Sequence, residues 1–412
     1  MTYKRHYSKL AIFWFNLLII SILIIACNNQ ENKIQQPIQT TMNPACVQQY
    51  DGNRDYFSEK INITYAKGFN VEYHKNYKIV TIKEPWKDAT TAFQYILVQC
   101  GTPLPQDFSQ KDLNNTQIIN VPVNSVIALS TTHLPHLAKL GLVDKLIGIS
   151  DAKTVNTPEV VAKMKAEKLV TVGSDNSINI EKVLELNPEL IMTYGSGNPT
   201  IDSYPKLLES GLKVVINAEY MEDSPLGRSE WLKFTALFFN QEKNAEEIFT
   251  KTAKRYTEIA TKAKSTKTRP TVFVGSNFKG TWYISGGKSY AAKYLEDAGA
   301  NYLWRDNQSS GSLPLSFETI SDRANNADYW LNFNPQWQQK QDILSEDNRY
   351  GDFKAVKNGN LYNNNARVNE SGGNDYWEGG ISNPDVVLSD LIKIFHPGIL
   401  PKHKLVFYRH VN

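Results

Sequence analysis

The stretch SINIEKVLELNPELIMTYG, residues 177–195, sets a helix and a strand side by side. A short helical pattern starts at Ile180, and Leu190-Ile191-Met192-Thr193-Tyr194 is an apolar run of strand length. The same unit recurs on both sides. Upstream, Val126-Ile127-Ala128-Leu129 leads into a helical pattern reaching Gly141. Leu146-Ile147-Gly148-Ile149 leads into a helix from Pro158, and Leu169-Val170-Thr171-Val172 leads back to Ile180. Downstream, a helix passes through Leu207-Leu208 and Val214-Val215-Ile216 closes the series. Short apolar strands alternating with helices predict a parallel sheet covered on both faces. This first lobe is expected at 119–240.

Working outward, 241–267 (QEKNAEEIFTKTAKRYTEIATKAKSTK) holds neither Pro nor Gly. Its apolar residues Ala245, Ile248, Phe249, Ala253, Tyr256, Ile259 and Ala260 recur near helical spacing, which predicts one long helix. The α/β texture then resumes: strands at 271–274, 282–284, 329–333 and 360–362, a helix near 290–298, and a last helix from Pro384 to Phe395. A second lobe is expected at 268–412. The fold class is therefore α/β, two doubly wound lobes joined by one long rigid helix, with a cleft between them. Such a helix closes far less than flexible linking strands would.

Residues 44–118 read differently. Ile61 to Tyr65, Tyr77 to Ile82 and Phe93 to Val98 show period-2 strand signals, so this part reads as a small β-rich N-terminal extension. Before it, 1–26 read as a signal peptide: Lys4, Arg5 and Lys9, then an apolar run from Leu10 to Ile25, then Ala26. The run is about 16 residues, short of the roughly 20 needed to span a bilayer. Cys27 directly after the small residue is the expected lipidation site, which anchors the exported chain to a bacterial membrane. Residues 27–43, polar and amide-rich, are the expected tether. After Cys27 only Cys46 and Cys100 remain, an even pair in an oxidising compartment, and a disulfide between them is expected.

Charge narrows the partners. The chain has 45 basic and 42 acidic residues; removing 1–26 takes away three bases and no acid, leaving 42 against 42. A neutral mature chain without a basic patch gives no reason to expect nucleic acid. Catalytic signatures are missing too. Gly195-x-Gly197 has no third Gly at 200, and no G-x-S-x-G elbow occurs. Gly286-Gly287-Lys288-Ser289 lacks the upstream Gly of a P-loop, although its Lys-Ser pair suits an anion. No enzymatic activity and no cofactor are expected. His133 and His136 share helical spacing but flank Pro135; they read as structural residues, and no metal site is expected.

Four segments in order resemble the solute-binding proteins of iron–siderophore and cobalamin ABC importers: SVIALSTTHLPHLAKLGLVDKLIGIS at 125–150, the 177–195 stretch with its Asn-x-Glu and Asn-Pro-Glu-Leu, PLGRSEWLKF at 225–234, and GTWYISGGKSYAAKYLEDAGANYLW at 280–304. The resemblance covers about 120–400 and leaves the extension without a role. It implies a monomeric binder that hands a small-molecule iron complex to an ABC importer permease. Glu181 and Glu318, at the starts of helices in the two lobes, match the family's permease-docking glutamates, although a carboxylate there also favours the helix dipole. Arg228 suits the oxygens around an iron complex, unless it is a surface residue paired with Glu222 or Glu230. Trp231 shares a helix face with Arg228 and is either a ligand contact or core. Tyr194, Trp282, Tyr290, Arg367 and Trp377 lie on Gly-flanked ends of strands, where ligands of open α/β sheets bind. Cobalamin binders carry a Trp shortly before Asn-x-Glu. Here Val172-Gly173-Ser174-Asp175 has none, which with Arg228 favours a ferric siderophore over cobalamin.

Overall fold

The computed structural model describes residues 46–105 and 116–412. The expected signal peptide, the lipidation site Cys27 and the tether lie outside the described residues.

The extension forms β1 Phe69–Tyr73, β2 Tyr77–Ile82, β3 Phe93–Gln99 and β4 Thr116–Val121, in sheet order β1-β2-β3-β4. β1/β2 and β2/β3 are antiparallel and β3/β4 parallel. Cys46 and Cys100 are disulfide-bonded, as expected. In β2 every second residue, Lys78, Val80 and Ile82, is buried. Val80, Ile82, Tyr95, Leu97, Ile119 and Val121 share one apolar core with lobe-one residues such as Val126, Leu190, Phe234 and Phe238.

Lobe one is built on β5 Val126–Ala128, β6 Leu146–Ile149, β7 Val170–Thr171, β8 Leu190–Thr193 and β9 Val214–Ile216. All pairs are parallel, in the order β7-β6-β5-β8-β9. β5, β8 and β9 are buried throughout, which is why they read as unbroken apolar runs. The edge strand β9 is covered by the extension. Gln117 Oε1 accepts from Val214 N at 2.9 Å and Tyr95 OH accepts from Ile216 N at 2.9 Å.

Lobe two contains β10 Thr271–Val274, β11 Ser276–Phe278, β12 Thr281–Ser285, β13 Asn301–Tyr302, β14 Ser312–Leu315, β15 Tyr329–Leu331, β16 Leu361–Asn363 and β17 Arg409–His410. The main sheet runs β13-β10-β15-β16-β17, parallel except for β17; β11-β12-β14 is a small antiparallel sheet. A single helix, Glu242–Lys264, joins the lobes. Its apolar stripe buries Ala245 in the lobe-one core and Phe249, Ala253, Tyr256, Ala260 and Ala263 in the lobe-two core.

The helix before it, Pro225–Leu237, is buried along all its residues, including three charged side chains that each find a partner. Glu230 accepts from the backbone N–H groups of Thr64, Tyr65 and Ala66 at 2.6–3.1 Å. It also pairs with Lys233 at 3.0 Å. Glu222, just upstream, accepts from Lys67 N, Gly68 N and Trp231 Nε1. Lys78 Nζ reaches across from β2 to the Leu237 carbonyl at 2.7 Å and to Glu242 at 2.6 Å. The extension is thus keyed into the junction where lobe one meets the joining helix.

Candidate functional site

In each open sheet the strand order reverses at one point, and the crevice beyond the carboxyl ends of the strands there is the natural place for a ligand. In lobe one that point lies between β5 and β8, which puts Ser130–His133 and Tyr194–Ser196 at the crevice. In lobe two it lies between β10 and β15, which puts Gly275 and Asn332–Phe333 there. Two cavities open at these places. One, about 960 Å³, is walled mainly by lobe two; the other, about 470 Å³, by lobe one and the extension. They adjoin: Thr131 lines the first while its neighbours Ser130, Thr132 and His133 line the second.

The larger cavity has aromatic and amide walls. Tyr283, Tyr290, Phe333, Tyr376 and Trp377 supply the rings; Asn332, Gln336, Gln338, Asn364, Asn365 and Asn374 supply the amides. Among the described residues, no charged one lines it. Its shape is fixed by side-chain to backbone bonds: Asn365 Nδ2 donates to Pro335 O at 2.8 Å and Asn374 Nδ2 to Asn364 O at 3.1 Å. Asn332 sits at φ +54° and buries an Oδ1 that has no partner among the described residues. Trp377 stands 48% exposed and edge-on to Tyr376, 4.8 Å between centroids.

The smaller cavity has a different character. Tyr194 OH donates to Asp175 Oδ1 at 2.5 Å, and burial together with that carboxylate pushes the phenol pKa up. His133 is buried, its pKa pushed down to about 4 by desolvation, so the imidazole is neutral at pH 7. Burial raises the Tyr220 phenol to about 12. Arg228 Nε and Nη2 both donate to Glu219 Oε2, at 2.9 and 2.7 Å. The same guanidinium lies 4.4 Å from the centre of the Tyr290 ring. Arg228 therefore ties lobe one to lobe two and has its charge compensated in place.

Several expected ligand contacts are placed elsewhere. Trp282 is fully buried, donates Nε1 to Val274 O at 3.2 Å, and packs against Phe273, Trp330, Phe317, Tyr350 and Phe353; it is core. Trp231 is also fully buried, bonded to Glu222 and packed on Phe69 and Phe234 at the seam with the extension. Arg367 pairs with Asp375 at 2.8 Å, and although Ala366 and Val368 line the large cavity, Arg367 does not. Arg228 pairs with neither Glu222 nor Glu230, whose carboxylates are committed to the extension backbone. Tyr194 lines the smaller cavity, Tyr290 and Trp377 the larger.

Glu181 and Glu318 are exposed in the first turns of helices Ile180–Leu186 and Phe317–Ala324. Asn179 and Ser316 perform the capping there, accepting from Lys182 N at 2.9 Å and Thr319 N at 3.2 Å, so neither carboxylate is needed for it. Ser289 caps helix Tyr290–Asp297, while Gly287, Lys288 and Ser289 line a separate hollow with Lys67 and Arg269 rather than the cleft. Among the described residues no group of three His, Cys, Asp or Glu is placed to hold a metal ion, and no helix is long and apolar enough to cross a membrane.

Sequence reading missed Trp86 and Lys87 of the extension, which line the smaller cavity, and Glu219, which holds Arg228. The Trp86-Lys87 pair carries no periodic or motif signal; only the tertiary path of 83–92 brings it there.

Residues 126–367 match the periplasmic binding protein family, and the chain belongs to it. An uncharacterized lipoprotein of Methanocaldococcus jannaschii is 31% identical over 377 residues, covering 86% of this chain and 87% of that one. Shorter matches are to a vitamin B12-binding protein of Vibrio vulnificus (36% over 95 residues, 23% of this chain and 31% of that one) and a petrobactin-binding protein of Bacillus subtilis (32% over 113 residues, 27% and 34%). The crystal structure of a periplasmic binding protein from Veillonella parvula superimposes with a TM-score of 0.56 at 17% identity, covering 77% of this chain and 98% of that one.

Proposed function

We propose that this protein is the substrate-binding lipoprotein of an ABC importer, tethered through Cys27, that captures a ferric siderophore of low net charge between its lobes and delivers it to the permease. The observation that carries the ligand class is the uncharged aromatic and amide wall of the larger cavity. Rings accept the apolar faces of a large chelate and amides hydrogen-bond its polar rim. A highly anionic chelate would lose its water there without a compensating charge. Arg228, which suits the oxygens around an iron complex, is already neutralised by Glu219. Tyr194, Tyr290 and Trp377 are the proposed contacts, with Arg228 as a strut between the lobes. Nothing in this role calls for a chemical step.

Cobalamin is the second reading. It is favoured by Trp86, which supplies a cleft-lining indole from outside the segment before Asn-x-Glu. The test is calorimetric titration with a ferric trihydroxamate, a ferric tricatecholate and cyanocobalamin. Micromolar or tighter binding of the trihydroxamate supports the first reading, preference for cyanocobalamin the second, and preference for the tricatecholate contradicts the charge argument. Delivery is tested by Glu181→Lys and Glu318→Lys. Rim charges set docking more than ligand affinity, so uptake should fall while binding stays unchanged; surviving uptake removes the docking role.

A further inference from the structure

The extension does more than brace lobe one. We infer that it forms a third wall of the ligand cleft, with Trp86 as a platform for the flat or apolar face of the bound chelate; this rests on the binding role proposed above. The segment between β2 and β3 passes over the end of β8. There the Trp86 ring lies flat on the backbone of the Gly195-Ser196-Gly197 turn. A Cβ at Gly195 would come within 2.8 Å of Trp86 Cε3, and one at Gly197 within 2.6 Å of Trp86 Cδ1. Gly197 also has φ +81°, a conformation that side chains disfavour. The two glycines that look like part of a nucleotide loop are thus a seat for an indole.

That seat is rigid. Asp202 accepts from Ser196 N, Ser196 Oγ and Gly197 N at 2.7–3.0 Å. Tyr204 stacks on Trp86 at 5.5 Å between centroids with 27° between planes, and Phe93 meets it edge-on at 5.6 Å. Tyr220 OH bonds the Gly195 carbonyl and lies 3.3 Å from that of Pro85, which pins the segment to lobe one. Trp86 is nevertheless only partly buried, and it lines the smaller cavity together with Tyr194 and Arg228. Lys87, next in sequence and exposed, is a lining cation with no ion pair among the described residues. Held by the glycine turn, Tyr204 and Phe93 and partly exposed where it lines the cavity, the indole is preorganised for contact.

The experiment titrates the full lipid-bearing chain in nanodiscs with the three probes named above, by calorimetry and by quenching of Trp fluorescence. Trp86→Phe keeps a ring on the glycine seat; Trp86→Ala removes it. For whichever probe binds the unsubstituted chain, W86F should weaken affinity about threefold and W86A tenfold or more, and the ligand-induced quench should shrink in W86F at unchanged melting temperature. If W86A does not fold, W86F decides alone. Unchanged affinity and unchanged quench amplitude in the folded variants overturn the platform while leaving the functional reading intact. If none of the probes binds the unsubstituted chain, the functional reading falls and the platform falls with it.

Discussion

The two halves of the cleft are built on opposite principles. The lobe-two half is roomy, lined by amides and rings at strand ends, and uncharged among the described residues. The lobe-one half is smaller and holds a buried ion pair, a neutral histidine and residues borrowed from the extension. Buried polar groups are costly unless every one is satisfied, and they then fix a single geometry. The Arg228–Glu219 pair thus fixes the geometry of the lobe-one half, and packing and side-chain to backbone bonds fix that of the lobe-two half.

The largest expected effect follows from that contrast and depends on pH. His133 and His136 are buried in lobe one, with pKa values pushed down to about 4 and about 3, chiefly by desolvation. Unfolded, both titrate near 6.5. Between those values the unfolded chain binds more protons than the native one, so stability rises with pH and falls on acidification. The two groups together lower stability by roughly several kcal/mol between pH 7.5 and 4.5. Burial raises the Glu222 and Glu378 carboxyls, which acts in the opposite sense, so the difference between variants is the useful readout. Urea titrations at several pH values should give His136→Gln a slope shallower by about half of that contribution. An unchanged slope would mean that His136 is not held neutral.

Next in size is Arg228→Ala, which leaves Glu219 buried and unpaired. Removing one partner of a buried pair costs roughly 3–5 kcal/mol. The double variant Arg228→Met with Glu219→Leu removes both charges and should recover most of that loss in urea unfolding. A single variant no less stable than the double one would show that the pair is a surface-like contact and would erase the contrast between the halves.

Much of this architecture is legible in the sequence, for identifiable reasons. β5, β8 and β9 are buried on both faces, so they appear as plain apolar runs, and the joining helix carries a clean stripe with no breaker. The site is less legible. Trp231 and Trp282 sit beside glycines and polar residues in sequence, yet their rings turn inward, and a lone tryptophan looks the same in a wall or in a core. Arg228 was readable as important, but its partner Glu219 lies across a turn whose path no local pattern specifies. Trp86 was invisible because its position is set by the path of the connection between β2 and β3 over lobe one, not by any periodicity.

The smallest effect separates a wall residue from a core residue by using two of the lobe-two tryptophans, Trp282 and Trp377, against each other. Trp282→Ala opens a void in an aromatic cluster and should cost roughly 3–5 kcal/mol of stability. Trp377 is 48% exposed and contacts Tyr376 only along one edge, so Trp377→Ala should leave stability within about 0.5 kcal/mol. An aromatic contact of this kind is worth about 0.5–1.5 kcal/mol beyond its buried area. Ligand affinity should therefore fall by roughly twofold to tenfold in W377A, measured by calorimetry at one pH. Because the protein stays fully folded, that loss cannot be a folding artefact. If W377A binds as well as the unsubstituted chain, the exposed face of the lobe-two wall is not where the ligand rests, and the deeper rings, Tyr290 and Tyr376, must carry the contact instead.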